Sequence, residues 1–442
     1  MIARPAPLLC ALALIVAVSC SDDGTATPND TAATGQSAAT VAPTTDPPDT
    51  AATTAAPDAS TSAPSTTVAL EPASFTVQPG TEQVAVLDAE PDEDLELRDR
   101  QGRVVGRGTV DANGALLWRG VAPGAGYLVR SARQQSDPFA VAAPDAHPEP
   151  GFHADQPLLP AGGFGYITVR DGTTLSANVV LPGPADAGPY PTVVEYSGYD
   201  PSNPANTTFA QIFNALGFAY VGVNMRGTGC SGGSYRFFET VQNLDGYDVV
   251  EAVAAQPWVE FNTVGMVGIS YPGIAQLFVA QTQPPHLAAI TPLSVLDDSF
   301  RATLYPGGIL NTGFAVEWTK DRVTQAAPFG QAWARERADA GDDRCAENQV
   351  LRLQNPDRVA EIDATPYYDE DLGDSLAPIT FVDRIEVPVF LAGAWQDEQT
   401  GGHFPRMLDR FTSSPRLDVT LMNGLHTESL SPPVFGRLAE FL

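Results

Sequence analysis

A serine held in a tight strand-to-helix turn can attack a carbonyl, and the stretch Gly265-Met266-Val267-Gly268-Ile269-Ser270-Tyr271-Pro272-Gly273 presents one. It reads as a nucleophile elbow of the G-x-S-x-G type. An apolar run leads to a serine among glycines, and helical spacing resumes at Ile274, Leu277 and Phe278. Glycine relieves the crowding of such a turn, which leaves the Ser270 hydroxyl projecting and the next backbone N–H, that of Tyr271, turned toward a developing oxyanion. Pro272 suits the first helical turn, where the N–H it lacks would have no partner.

Serine is a weak nucleophile at neutral pH and needs a base, which in turn needs an orienting acid. The chain has five histidines. His147 and His153 precede the sheet-forming region, and His286 follows Pro284-Pro285 in a link to a strand. His426 stands just past the apolar run 417–422, where a loop at the C-terminal edge of a parallel sheet would deliver a base. His403, at the start of a helix, is its competitor. Asp397 follows the apolar run 387–392 at another strand end, with Glu398 beside it as the alternative acid. The chain order Ser270, Asp397, His426 is that of α/β-hydrolases and differs from those of chymotrypsin and subtilisin.

These residues must be positioned by a regular scaffold, and the chain supplies its pattern. Short apolar runs at 192–196, 219–224, 264–269, 288–291, 387–392 and 417–422 alternate with helical stripes. Phe209, Ile212, Phe213 and Leu216 form one stripe, ended by Gly217, and Val249, Val250 and Val253 belong to another. The alternation predicts an α/β fold with a mostly parallel sheet wrapped by helices. It lapses between about 296 and 385 into charged, aromatic, helix-like sequence. An insertion there, after the sixth strand, would cover the C-terminal ends of the strands as a helical cap. Upstream, over 71–145, short alternating segments such as Leu95-Glu96-Leu97 and Tyr127-Leu128-Val129 are broken by Gln101-Gly102, Asn113-Gly114 and Pro123-Gly124. This region predicts a small β-sandwich-like domain, read as a passive spacer rather than a ligand-binding module.

The formal net charge of −29, from 53 acidic against 24 basic residues, repels phosphate backbones and argues against nucleic acid as a partner. At the N-terminus, Arg4 and an apolar stretch over 8–18 have the proportions of an export signal. Ala17-Val18-Ser19-Cys20 resembles a bacterial lipobox, which makes Cys20 the lipidation candidate and a lipid anchor the only expected membrane contact. Residues 21–70, rich in Thr, Ala and Pro with almost no apolar side chains beyond Ala and Val, read as a disordered tether. With Cys10 removed and Cys20 lipidated, Cys230 and Cys345 remain as a disulfide candidate in an exported chain. The acidic groups Asp297-Asp298, Asp342-Asp343 and Asp369-Glu370-Asp371 lack the ligand spacing of an EF-hand, and neither a metal nor an organic cofactor is expected.

Several separated motifs resemble the Xaa-Pro dipeptidyl-peptidase and cocaine-esterase (CocE/NonD) family of α/β-hydrolases. They are Met225-Arg226-Gly227-Thr228-Gly229-Cys230-Ser231-Gly232, Gln256-Pro257-Trp258, the elbow with its tyrosine, and Gly393-Ala394-Trp395-Gln396-Asp397. The resemblance runs from about residue 160 to the end. It implies that a tyrosine hydroxyl from the loop after the third strand is a second oxyanion donor, and Tyr199 in Tyr196-Ser197-Gly198-Tyr199-Asp200 matches that position. Members usually carry a C-terminal jelly-roll domain after the catalytic histidine, whereas here only 427–442 follow, so the resemblance implies a shortened relative or a fragment. The resulting expectation is an exported serine hydrolase, lipid-anchored at the cell membrane or secreted after an ordinary signal is cut, that cleaves an ester or amide, acyl or X-Pro in type, of a small molecule or short peptide through an acyl-enzyme. The alternative is a non-catalytic surface lipoprotein that uses the scaffold to bind a partner.

Overall fold

A computed structural model describes residues 70–442. The export signal, Cys20 and all but the last residue of the 21–70 stretch lie outside the described residues. Within them, an eight-stranded sheet carries the site. β1 (Gly163–Thr168) and β2 (Thr174–Val180) form an antiparallel hairpin at one edge. Next in the chain come β3 (Tyr190–Ser197), β4 (Ala219–Asn224), β5 (Val259–Ile269), β6 (Leu287–Leu293), β7 (Val389–Ala394) and β8 (Leu417–Met422). In space the order is β1-β2-β4-β3-β5-β6-β7-β8, antiparallel as far as the β2/β4 pair and parallel beyond it.

Burial on both faces explains the sequence signal. Every residue of β4 and β7 is buried, so these strands read as unbroken apolar runs rather than alternating ones. On one face, α1 (Thr208–Ala215) and the last helix (Pro432–Phe441) pack Phe213, Phe435 and Leu438 against Tyr220 and Phe390. On the other, α2 (Thr240–Ala254) and α3 (Tyr271–Ala280) bring Val249, Val253, Leu277 and Phe278 onto Val194, Val221 and Met266. This is the mostly parallel sheet wrapped by helices expected from the alternation, and it is the architecture of an α/β-hydrolase.

One strand begins two residues later than its apolar run suggests. Pro388 has no N–H to give a ladder, so β7 starts at Val389, whose N–H donates to Arg416 at 2.8 Å. Between β6 and β7 the chain leaves the sheet for a mainly helical insertion that includes helices Ala315–Ala326, Ala332–Asp339 and Arg358–Ala364. Cys230 and Cys345, 115 residues apart, form a disulfide that ties the loop after β4 to this insertion.

Before the sheet, strands Thr76–Pro79, Gln83–Leu87 and Leu116–Arg119 form one small antiparallel sheet. Asp94–Arg98, Val104–Thr109 and Gly124–Arg130 anchor a second. Val84, Val86, Leu95, Leu97, Trp118 and Val129 fill a common core. This region also grips the larger sheet's loops. Arg119 donates to Ser234 Oγ at 2.7 Å and to the Gln354 carbonyl at 3.1 Å, and its Nε lies 3.3 Å from Glu239 Oε2. Gln83 reaches the same carboxylate at 3.1 Å.

Candidate active site

Ser270 stands between β5 and α3 with φ 65° and ψ −127°, a conformation that a residue with a side chain adopts only when its surroundings impose it. Two constraints do so here. The Ser270 N–H is held by the Leu293 carbonyl at 2.8 Å. The helix also leaves so close to β6 that a Cβ on Gly273 would come within 2.6 Å of the Leu293 oxygen. The motif departs from G-x-S-x-G in one respect. Pro272 takes the place of its second glycine, and Gly273, one residue on, makes the close approach. Tyr271 opens α3, so its N–H has no partner within the helix, as an oxyanion donor at an elbow requires.

Asp397 and His426 arrive on the loops after β7 and β8. His426 Nδ1 lies 2.9 and 2.8 Å from the two Asp397 oxygens, and both residues are buried. The carboxylate also accepts from the Gln399 N–H at 2.9 Å, the Thr400 N–H at 2.8 Å and the Thr400 hydroxyl at 2.8 Å. Burial alone would raise the Asp397 pKa, but the His426 contact and these backbone donors outweigh it and hold the group below the usual carboxylate range. Glu398 takes a different part. Its Oε2 accepts the His426 backbone N–H at 3.0 Å, so it fixes the loop rather than the ring.

One short path links this pair to the elbow. Leu293 holds the Ser270 N–H, and the next residue, Ser294, donates through its hydroxyl to the His426 carbonyl at 2.7 Å. The end of β6 thus anchors both the nucleophile turn and the histidine loop. Among the described residues no hydrogen bond joins the Ser270 hydroxyl to the His426 ring, a contact that many hydrolases tighten only around substrate. The other histidines are placed elsewhere. His403 is exposed at the N-terminus of the short helix Phe404–Arg410, His286 pairs with Glu251 at 2.6 Å, and His153 pairs with Asp248 at 2.9 Å.

Tyr199 follows β3 and packs edge-on to the Tyr271 ring, 5.4 Å between centroids. Its hydroxyl accepts from the indole N–H of Trp318 at 3.0 Å, which orients the phenol for donation elsewhere because an indole can only donate. The Arg322 guanidinium stacks over the same phenol ring at 4.6 Å. The Tyr271 hydroxyl meets that of Tyr235 at 3.0 Å.

Ser270 opens into a cavity of about 120 Å³ walled by Phe237, Phe238, Tyr271, Leu296 and Trp318. Phe237 and Phe238 come from the loop after β4. Its base is fixed by Arg226, whose largely buried guanidinium lies 2.7 Å from Asp245 and 2.8 Å from Asp171. Sequence reading missed the aromatic wall, Trp318 and Thr400. The spacing Asp397-Glu398-Gln399-Thr400 carried a usable sign of Thr400, since an aspartate that binds backbone N–H groups two and three residues on forms a recognisable local turn. Phe237 and Phe238 lie in a loop, where no periodicity marks them.

The model of the X-Pro dipeptidyl-peptidase (S15) family matches residues 171–428, a span that includes Ser270, Asp397 and His426. Cocaine esterase of Rhodococcus sp. is 28% identical over 217 residues, covering 48% of this chain and 36% of that protein. A Mycobacterium bovis protein that carries the name of a serine esterase is 27% identical over 173 residues, 35% of this chain and 27% of its own length. The matched part therefore spans well under half of each of these relatives. A CocE/NonD family hydrolase from Staphylococcus aureus shares the fold, with a TM-score of 0.50 and 20% identity over 63% of this chain and 49% of that one. The strained serine after β5, the acid and histidine after β7 and β8, and a family match across all three lead to one assignment: the chain belongs to the X-Pro dipeptidyl-peptidase family S15, on the α/β-hydrolase fold.

Proposed function

We propose that this protein is an exported serine hydrolase that cleaves acyl esters through an acyl-enzyme. The observation that carries the reading is the Asp397–His426 pair at the strand ends beside a strained serine that opens into an aromatic cavity. Ser270 Oγ attacks the ester carbonyl as His426 Nε2 takes its proton, while Asp397 holds Nδ1–H and stabilises the imidazolium. The oxyanion is held by the Tyr271 N–H and the Tyr199 hydroxyl. Collapse expels the alcohol, which receives the proton from His426, and water then releases the acid by the same steps in reverse. Ser270, Asp397, His426, Tyr199 and Tyr271 supply every proton transfer and charge contact in this sequence.

Esters come first because the cavity beside Ser270 is walled by apolar rings and offers an acyl chain a dry surface. X-Pro amides are the second reading, favoured by the family match over 171–428. Purified protein offered short-chain 4-nitrophenyl esters and X-Pro anilides separates the two. Ester turnover lost in Ser270→Ala supports the first, turnover of anilides alone the second, and turnover of neither favours the binding lipoprotein.

Export with a lipid anchor at Cys20 is part of the same proposal. The Ala17-Val18-Ser19-Cys20 sequence supports it, and a disulfide between Cys230 and Cys345 suits an oxidising compartment. Mass spectrometry of the mature N-terminus from expressing cells is the test. A diacylated Cys20 is expected, and a mature chain with Cys20 unmodified contradicts the anchor.

A further inference from the structure

The aromatic wall of the cavity is shared with a second, larger and more polar one of about 830 Å³, and Phe237, Phe238, Leu372, Leu376 and Arg358 line both. Arg358 is the charged group at this junction. It is 5% exposed, stacks on the Phe237 ring at 4.5 Å, and its Nε is sealed from water with no hydrogen-bond partner. Among the described residues its one ion pair is to Glu361, and Glu361 is shared. Arg236 Nη2 lies 3.5 Å from the same Oε2. Two guanidiniums therefore share one carboxylate, with Arg358 at the buried end and the Arg236 and Glu361 side chains partly open to solvent. Among the described residues no other acid pairs with Arg358: Glu239 pairs with Arg119, Asp374 accepts from Tyr368 and lies 3.8 Å from Arg301, and Asp369, on the same cavity wall, caps the Leu372 N–H. A buried arginine whose Nε lacks a partner has donor capacity left for a further acceptor, and a planar carboxylate is the partner its fork best fits.

We propose that Arg358, backed by Arg236, receives the free carboxylate of the substrate's acyl group, so that the preferred substrates are monoesters of dicarboxylic acids. The proposal rests on the reading of Ser270 as the acylated nucleophile. The acyl chain lies along Phe237, Phe238 and Leu376, its ester carbonyl at Ser270 and its far end at the guanidinium. The alcohol departs toward solvent. Glu361 bridges the two arginines.

The test is a chain-length series of 4-nitrophenyl monoesters, from succinate to suberate, each set against its neutral methyl-capped counterpart. At the matching length, wild type is expected to favour the free carboxylate by about tenfold or more in kcat/KM, the range of one charge-assisted hydrogen bond. Arg358→Gln brings that ratio to about one, and Arg358→Lys retains part of it. Should the Gln variant fail to fold, free dicarboxylates must still inhibit wild-type hydrolysis of the neutral ester better than monocarboxylates of equal length. A ratio at or below one at every length, with the neutral ester still turned over, overturns the anion site and leaves the hydrolase reading intact. If neither ester is turned over and Ser270 resists a fluorophosphonate, the hydrolase reading falls and takes the anion site with it.

Discussion

His426 Nδ1 lies 2.9 and 2.8 Å from the two oxygens of Asp397, while the Gln399 and Thr400 backbone N–H groups donate to the same carboxylate. The carboxylate is thereby fixed in place and kept ionised, so the imidazole holds its proton on Nδ1 and leaves Nε2 as the base. Asp397→Asn keeps the shape but offers the ring an amide that favours the wrong tautomer. Its kcat on an ester substrate should fall by about 10³–10⁴ with a small change in KM. A loss under tenfold would mean that Asp397 does not orient the base.

The Tyr199 hydroxyl accepts from Trp318, which fixes the direction of the phenol beside the Tyr271 N–H. Tyr199→Phe should lower kcat by about 10²–10³, the usual cost of one oxyanion donor. Trp318→Phe, which removes the orienting contact and keeps the donor, should cost less. Equal losses in both variants, or none in either, would contradict the assigned order.

Arg119 belongs to the N-terminal β-region yet binds Ser234, Gln354 and Glu239 of the hydrolase part. Ser234 in turn donates to Asn355, which receives the Tyr235 N–H at 2.7 Å, two residues from Phe237. Burial pushes the Glu239 pKa up, and Arg119 is the largest influence opposing that. Arg119→Ala leaves this carboxylate short of a partner, so thermal unfolding should show a loss of about 2–3 kcal/mol, with KM raised through the displaced aromatic wall. Unchanged stability and KM would return the β-region to the role of a passive spacer.

Glu195 on β3 is 8% exposed and receives the Tyr220 hydroxyl at 2.5 Å. Burial pushes its pKa up from 4.5 to about 7, although the Tyr220 contact opposes this. Between those values the folded protein holds a proton that the unfolded chain has lost, so stability falls as pH rises through that window. Glu195→Gln should flatten this part of the profile and raise stability near neutral and alkaline pH by up to about 3 kcal/mol. Urea unfolding at about pH 5 and about pH 8 measures it, and parallel wild-type and variant profiles would count against the buried proton.

The sheet was legible because parallel strands buried on both faces leave continuous apolar runs, as β4 and β7 do. Strand ends were legible for the same reason, which is how Asp397 and His426 came to be placed on neighbouring loops. Local chemistry was less so. Pro388 moved the start of β7, Pro272 stood where the motif wants glycine, and Glu398, weighed as a rival acid, instead holds the His426 backbone. Phe237, Phe238 and Trp318 left no trace in the sequence pattern, since loop residues and a single face of an inserted helix are brought together only by tertiary packing.

Peptide mapping of protein treated with a fluorophosphonate decides whether Ser270 is the nucleophile. A single adduct on Ser270, absent from heat-unfolded protein and from Ser270→Ala, is the predicted result. An adduct on another residue, or undiminished labelling of the Ser270→Ala variant, would contradict it.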